Sequence, residues 1–185
     1  MVKDVLDRAE TAMKKGIEAV GREFAGVRTG RASAALLQGI TVEYYGASTP
    51  LQQVATVATP ETRLITIQPW DPSLVPAIEK AILKSDLGIT PSSDGRAIRI
   101  AIPPLTEERR KELVRVVRRM AEEGRVAIRN VRRDANEKLK ALEKQKKITE
   151  DDLKKGTESV QKLTDKYVKE LETTLATKEK EILEF

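Results

Sequence analysis

The chain has 185 residues, of which 39% are hydrophobic, 34% charged and only 3% aromatic, and its formal net charge is +5. It contains neither cysteine nor histidine, which excludes disulfides, thiolate nucleophiles, imidazole bases and the common zinc ligands. We therefore expect no enzyme and no metal or cofactor site, and the positive charge favours an acidic partner.

The first 29 residues contain apolar side chains at steps of three and four, which predicts one amphipathic helix. Short apolar runs at 40–44, 54–58, 63–68 and 97–102 predict β-strands. Between them, residues 72–84 have helical spacing, and ITPSSDG at 89–95 predicts a loop. No apolar run approaches the ~18 residues of a membrane-spanning helix, and the first residues are too charged for a signal peptide, so we expect a cytoplasmic protein.

Two long helices are predicted after Pro103 and Pro104. The first begins near Thr106, has an apolar seam with an average step of about 3.6 residues, and ends near Ile148. Thr149 and Asp152 predict a capping box at the start of the second, and the acids at 150–152 fit a helix N-terminus better than a metal site. Gly124 lies in the seam, where glycine costs about 1 kcal/mol relative to alanine unless close packing offsets it.

Three amphipathic helices can bury their apolar faces together, so we predict an α+β fold. We predict that residues 1–29 and 105–185 form an antiparallel three-helix bundle and that residues 30–104 form an inserted small β/α/β domain. The chain then passes twice between the domains, and these passages predict a two-stranded hinge. The hinge residues are Thr29, Gly30, Arg31, Pro103, Pro104 and Leu105.

The charge is unevenly distributed along the chain. It is +1 for residues 1–29, 0 for 30–104, +7 for 105–149 and −3 for 150–185. At about 100° per residue, five arginines of the third segment share a sector of roughly 100° that extends about 30 Å along the helix. These residues, the arginine stripe, are Arg110, Arg118, Arg125, Arg129 and Arg132.

Two interpretations of the arginine stripe are open. Its members could pair with Glu122, with Asp134 or with acids of a neighbouring helix, but such surface pairs contribute only ~0.2–1 kcal/mol each. Alternatively, the guanidinium groups could bind phosphates, which match their planar fork. Because the stripe lacks aromatic residues for stacking on bases, we expect contacts to the backbone of structured RNA.

The aromatic residues of the middle segment have less specific interpretations. Trp70, between Pro69 and Asp71, is predicted to be a packed loop anchor, with contact to a partner as the alternative. Tyr44 and Tyr45 are predicted to divide between the core and the surface of a strand.

The strings RTGRASAALLQGITVEYYG, GRAIRIAIPPLTEERRKELV and RNVRRDANEKLK resemble the bacterial ribosome recycling factor family, and the similarity extends over essentially the whole chain. This resemblance implies a three-helix bundle that bears a small β/α/β domain on a two-stranded hinge, an L-shape with the dimensions of transfer RNA. It also implies a monomer that binds large-subunit ribosomal RNA and, with elongation factor G and GTP hydrolysis, separates the ribosomal subunits after peptide release. Neither a membrane nor a small-molecule substrate is expected.

The resemblance also implies binding residues. Arg129, Arg132 and Arg133 come from RNVRRDAN, Arg110 comes from EERRKEL, and Arg28 comes from RTGRA. Arg118 and Arg125 are added from the helical geometry alone. The alternative function is a helical adaptor of the coiled-coil type, which predicts a strict 3.5-residue period and self-association.

Overall fold

The computed structural model describes residues 1–184. They form two compact units: the bundle unit, Met1–Arg28 with Glu107–Glu184, and the sheet unit, Thr29–Thr106. The α+β class predicted from the sequence is confirmed. The predicted boundaries, after residues 29 and 104, lie one and two residues from those of the structure. Phe185, the last residue of the predicted bundle, lies outside the described residues.

The helices and strands alternate with three short 3-10 turns at Ala34–Leu37, Leu51–Gln53 and Pro72–Leu74. In chain order the elements are α1 (Val2–Ala25), β1 (Thr41–Tyr44), β2 (Ala47–Pro50), β3 (Ala55–Glu61), β4 (Leu64–Pro69), α2 (Val75–Lys84), β5 (Pro91–Ser93), β6 (Ile98–Ala101), α3 (Glu107–Lys144) and α4 (Glu150–Glu184).

The bundle unit packs α1, α3 and α4 along their apolar seams, with Met13, Val117, Ile128 and Leu171 fully buried. Each helix is amphipathic, so burial of the three apolar faces against one another stabilises all of them. No helix in the described part of the chain is long and apolar enough to cross a membrane.

Gly124 lies at a close approach of the three helices in this bundle. A Cβ atom at this position would lie 2.7 Å from Val20 Cγ2 of α1 and 3.3 Å from Leu171 Cδ2 of α4. The residue is buried where all three helices meet, so its missing side chain permits the close packing. This contact explains why a poor helix former occupies the seam.

The turn between α3 and α4 satisfies the backbone groups of both helix ends. Lys146 has a positive φ of 59°, and the N–H groups of Lys146 and Lys147 donate to the carbonyls of Glu143 (2.8 Å) and Leu142 (2.9 Å), a Schellman motif. This left-handed residue ends α3 at Lys144, four residues before the predicted end.

The capping box predicted at the start of α4 is present. Thr149 N–H donates to Asp152 Oδ2 at 3.1 Å, and Asp152 N–H donates to Thr149 Oγ1 at 3.0 Å. The backbone bond from Thr149, followed by its hydroxyl, lowers the pKa of Asp152. Each residue thus satisfies a backbone donor of the other in the first turn, where the helix dipole also favours an acid.

The sheet unit contains a four-stranded antiparallel sheet in the order β3-β4-β6-β5 and a separate β1–β2 hairpin. Ile65 and Ile67 of β4 alternate with more exposed residues and are fully buried, as are Ile98 and Ile100 of β6. These side chains belong to one apolar core that also includes Ile78 and Ile82 of α2.

Two predictions about this unit are wrong. The segment predicted as a loop contains β5, an edge strand paired with β6 at Pro91↔Ile100; an edge position tolerates proline because its outer side needs no donor. Trp70 is 68% exposed and is not a packed anchor. The backbone N–H of Trp70 donates to the carbonyl oxygen of Val54 at 3.1 Å, so the backbone is fixed here while the ring faces solvent.

Candidate nucleic-acid interface

Part of the arginine stripe lies on the side of α3 that faces α4. Arg118 Nε donates to Glu179 Oε1 at 2.6 Å, and Arg132 Nη1 makes a long contact of 3.5 Å with Gln161 Oε1. Because both partners belong to α4, these arginines connect the two helices across the bundle surface. We call this side of α3 the α4-facing flank.

Arg110 lies at the end of the α4-facing flank and is half-buried. Its Nη1 donates to the carbonyl oxygen of Leu183 at 2.6 Å, whereas its Nε is buried without a hydrogen-bond partner among residues 1–184. The carbonyl groups of the last helical turn lack intrahelical donors, so this guanidinium serves as a cap for α4.

Arg125 and Arg129 both contact Glu122 on their own helix. The Arg125 Nη1–Glu122 Oε2 distance is 3.3 Å, and the Arg129 Nη1–Glu122 Oε1 distance is 3.9 Å. The Arg125 side chain is only 18% exposed, while that of Arg129 is 51% exposed. A single carboxylate therefore faces two guanidinium groups and leaves one of them largely open to solvent.

The ion pair of Arg118 keeps that group charged. The hydrogen bond to Glu179, followed by its negative charge, raises the pKa of Arg118 above the usual value. The Arg118 side chain remains 64% exposed although its partner is more deeply placed. An exposed pair of this kind is weak in water, so a phosphate could replace the carboxylate.

The outer face of α3 presents further arginines. Within the described chain no carboxylate lies within ion-pair distance of Arg115, Arg119 or Arg133, and all three are exposed. Together with Arg129 they share a sector of about 80° and extend over about 27 Å of the helix axis. We call these four residues the outer arginine row.

The sequence prediction missed Arg115 and Arg119. They lie farther from the apolar seam than the arginine stripe, at roughly the opposite side of the helix. A sum of the charges in every angular sector of the helix, including the sectors far from the apolar seam, would have found them. Val126, exposed on the same face, is a small apolar spot among these charges.

The two passages of the chain meet one tight turn inside the sheet unit. Ala32 N–H donates to Thr62 O at 2.6 Å, and Ile102 N–H donates to Arg63 O at 2.8 Å, so both passages are held at the β3–β4 turn. The predicted hinge residues 29–31 and 103–105 lie next to these anchor points. Gly30 has a φ of +76°, a conformation that glycine adopts without strain.

Arg28 is the last residue of the first bundle segment and is exposed. It follows the end of α1 and precedes the predicted hinge. No group of acids among residues 1–184 has an arrangement that could hold a metal ion.

The fold and this site define a two-unit α+β protein with a row of exposed arginines on the outer side of one long bundle helix. A family model described as ribosome recycling factor matches residues 20–183. The chain belongs to the ribosome recycling factor family, as the sequence motifs indicated.

Individual relatives are similar in sequence to this chain along their full length. The chain is 58% identical to the ribosome-recycling factor of Carboxydothermus hydrogenoformans over 183 residues, 99% of each chain. It is 59% identical to that of Bacillus pumilus over 184 residues, 100% of each chain.

Two solved structures are also similar. The solution structure of a ribosome recycling factor has a TM-score of 0.76 and 48% identity, with 100% of this chain and 98% of the other covered. The second, with a TM-score of 0.65, 50% identity and 99% of each chain covered, comes from models for the T. thermophilus ribosome recycling factor and E. coli elongation factor G bound to the E. coli post-termination complex.

Proposed function

We propose that this protein recycles ribosomes after termination by binding large-subunit ribosomal RNA and, with elongation factor G and GTP, splitting the post-termination complex into subunits. Family membership supports this proposal, as does the similar factor whose structural description places it with elongation factor G on a post-termination complex. The observation that carries the RNA-binding part is the outer arginine row. Its four side chains are exposed and spread along the helix, and only Arg129 has a described carboxylate within ion-pair distance.

The contacts to RNA are expected to be with phosphates. Guanidinium groups spread over about 27 Å of a stiff helix can reach several phosphates of a folded RNA at once. The outer row contains no aromatic residue that could stack on a base, so it recognises the path of the backbone and not the sequence. The segment that contains α4 has a charge of −3, which directs a polyanion towards α3.

The predicted binding residues divide by their surroundings. Arg129 and Arg133 are exposed and form the anchor, and Arg132 can leave its long contact with Gln161 to join them. Arg28 lies close to the hinge in sequence and adds a further contact. Arg118 exchanges Glu179 for a phosphate on binding.

Arg110 contributes mainly by joining α3 to the end of α4, and Arg125 mainly by its pair with Glu122 within α3. Arg110 caps the last turn of α4, and Arg125 is largely buried beside Glu122. Their removal is therefore expected to change stability more than the number of phosphates bound.

Subunit separation requires motion as well as an anchor. We expect the sheet unit to pivot at residues 29–31 and 103–105 while the bundle unit stays on the RNA. Both passages are fixed at the β3–β4 turn, so rotation is confined to the few residues outside that turn. The free energy for separation comes from GTP hydrolysis by elongation factor G. This chain acts in the cytoplasm and performs no catalysis itself.

A splitting assay tests the proposal. Post-termination ribosomes are mixed with elongation factor G, GTP and the protein below saturation, and light scattering follows subunit separation. Arg129→Ala/Arg133→Ala is expected to slow splitting strongly, and excess protein is expected to restore it because the defect is in binding. The control, Lys154→Ala/Lys169→Ala, removes the same charge from exposed positions on α4. Equal effects of the two double variants would contradict the assignment of the interface.

Sedimentation separates this function from that of a helical adaptor. A recycling factor is expected to sediment as a monomer and to bind ribosomes at low salt. A dimer that persists at high salt would favour the adaptor, because apolar seams and not charges would then hold the partners together.

A further inference from the structure

The sheet unit contains an aromatic patch, formed by the exposed Tyr45 and Trp70 and the half-buried Tyr44. The whole chain has one tryptophan, three tyrosines and two phenylalanines, so half of its aromatic residues are in this patch. Tyr45 is 89% exposed and Trp70 is 68% exposed. Aromatic side chains left in water at such a density indicate a contact surface, since they would stabilise the unit more if they were buried.

The patch borders a small cavity. Tyr44, Gln53, Val54, Trp70, Asp71 and Leu74 line a volume of about 150 Å³. This is well below the ~300–1,000 Å³ that is usual for small-molecule sites, so the cavity suits a single side chain. Two aromatic rings and one carboxylate are its chemically distinctive walls.

The backbone around the cavity is fixed by hydrogen bonds. Trp70 N–H donates to Val54 O at 3.1 Å, and Leu74 N–H donates to Asp71 O at 3.0 Å. Tyr44 and Tyr45 have ring centroids 4.4 Å apart in an edge-to-face arrangement. The cavity is therefore preorganised, which reduces the entropy lost when a ligand binds.

Asp71 provides the charge of the site. Its Oδ1 accepts hydrogen bonds from Ser73 N–H at 3.0 Å and from Ser73 Oγ at 2.7 Å. The Ser73 hydroxyl, followed by its backbone N–H, lowers the pKa of Asp71 and keeps the carboxylate ionised. Both bonds use one oxygen, and Oδ2 accepts no hydrogen bond from a residue within 1–184.

We propose that this cavity binds the cationic side chain, arginine or lysine, of a basic protein partner. The faces of tryptophan and tyrosine attract cations, and the free oxygen of Asp71 can accept a hydrogen bond from the bound group. The same carboxylate repels phosphate, so stacking of a nucleotide is disfavoured although the rings could support it. The site lies wholly in the sheet unit and does not depend on RNA binding by α3.

The single tryptophan makes a direct experiment possible. Full-length protein is titrated with the blocked peptide acetyl-Gly-Arg-Gly-amide while the emission of Trp70 is recorded. We expect a saturable change, and the peptide with neutral citrulline in place of arginine is expected to bind about fivefold more weakly or worse. AMP is the third probe, and we expect no saturable change with it.

Asp71→Asn tests the charge without removing the local structure, because asparagine can still accept the hydrogen bond from Ser73 N–H. It is expected to weaken binding of the arginine peptide about fivefold or more. Asp94→Asn is the matched control: Asp94 accepts bonds from the N–H groups of Arg96 and Ala97, both at 2.9 Å, but does not line the cavity. This variant is expected to bind like the wild type.

Circular dichroism of each variant verifies that the fold is retained. Equal binding of the arginine and citrulline peptides, or an Asp71→Asn variant that binds normally, would overturn the proposal. A saturable response to AMP but not to the arginine peptide would overturn it in favour of base stacking. These results are independent of the splitting assay, in which all substituted residues belong to α3 and α4 of the bundle unit.

Discussion

Arginine occurs on two sides of α3 in different surroundings. On the α4-facing flank, Arg110 donates to Leu183 and Arg118 donates to Glu179, so the guanidinium groups connect helices within the bundle. On the outer face, Arg133 is exposed and no described carboxylate pairs with it. The same residue type thus stabilises the fold on one side and is available to a partner on the other. Charge on a helix defines an interface only after the internal pairs are subtracted.

The largest effect expected from this comparison concerns ribosome affinity. Arg129→Ala/Arg133→Ala should weaken binding about 10- to 100-fold at low salt and reduce the salt slope by about two, since each lost phosphate contact lowers the slope by about one. Arg110→Ala/Arg125→Ala removes two half-buried arginines of the stripe, here called the inner pair. This variant should weaken binding about threefold at most and should instead lower the melting temperature. Binding isotherms at several salt concentrations check this, and a larger affinity loss for the inner pair would reverse the assignment.

The next effect concerns the packed side of α3 alone. Gly124→Ala places a Cβ atom 2.7 Å from Val20 Cγ2, so the free energy of unfolding should fall by about 1–3 kcal/mol. The control is Gly16→Ala in α1, where a Cβ atom meets nothing within 4 Å. The higher helix propensity of alanine should there raise the free energy of unfolding by about 1 kcal/mol or less. Denaturant unfolding measures both. Stabilisation by both substitutions would mean that the helices do not approach closely at Gly124.

A third test uses pH at a contact between α1 and α4. Tyr167 is buried, and its hydroxyl donates to Glu10 Oε1 at 2.9 Å. Burial, followed by this bond, raises the pKa of Tyr167 from 10.0 to about 12. The folded state therefore holds the proton more tightly than the unfolded chain, and the resulting stability is complete below pH 10 and declines as the pH rises towards 12.

Tyr167→Phe should remove this pH-dependent part of the stability. At neutral pH the substitution should cost about 0.5–1.5 kcal/mol for the lost hydrogen bond. Unfolding free energies of both proteins at pH 8, 10 and 11 provide the measurement. Parallel declines would show that other groups cause the alkaline loss.

The smallest effect is expected for the ion pair that joins α3 to α4. Glu179→Gln should lower the free energy of unfolding by about 1 kcal/mol or less, because the partner Arg118 is largely exposed and the pair is screened by water. It should also strengthen RNA binding slightly by releasing Arg118. Thermal unfolding and RNA titration of this variant suffice, and a loss of RNA affinity would show that the pair positions Arg118 for the interface.

Periodicity predicted most of the fold because helices and buried strands have regular apolar spacing. It failed at β5, where Pro91, Ser92 and Ser93 have no apolar alternation and form a strand only because β6 offers an edge. It also failed at Trp70, whose backbone is bonded to the distant Val54 and whose ring is exposed. Neither feature is encoded locally.

The contacts between helices in the candidate site could not be predicted either, because they depend on how two helices pack. Helical angles place the arginine stripe in one sector, but they do not tell which side of that sector meets α4. The partner of Arg118, Glu179, lies far along the chain, and the pair exists only because two helices pack in one rotational setting. Gly124 likewise could not be explained until Val20 and Leu171 were placed against it.

The Schellman motif and the capping box leave almost no slack between α3 and α4. Since each residue of a helix turns the next by about 100°, one residue inserted into α4 between Asp152 and Gln161 would turn the rest of the helix by about 100° relative to its capped start. Glu179 and Gln161 would then point elsewhere, and Arg118 and Arg132 would lose their partners on α4. The capped start therefore acts as the angular reference for α4, and it determines which guanidinium groups of α3 are paired across the two helices.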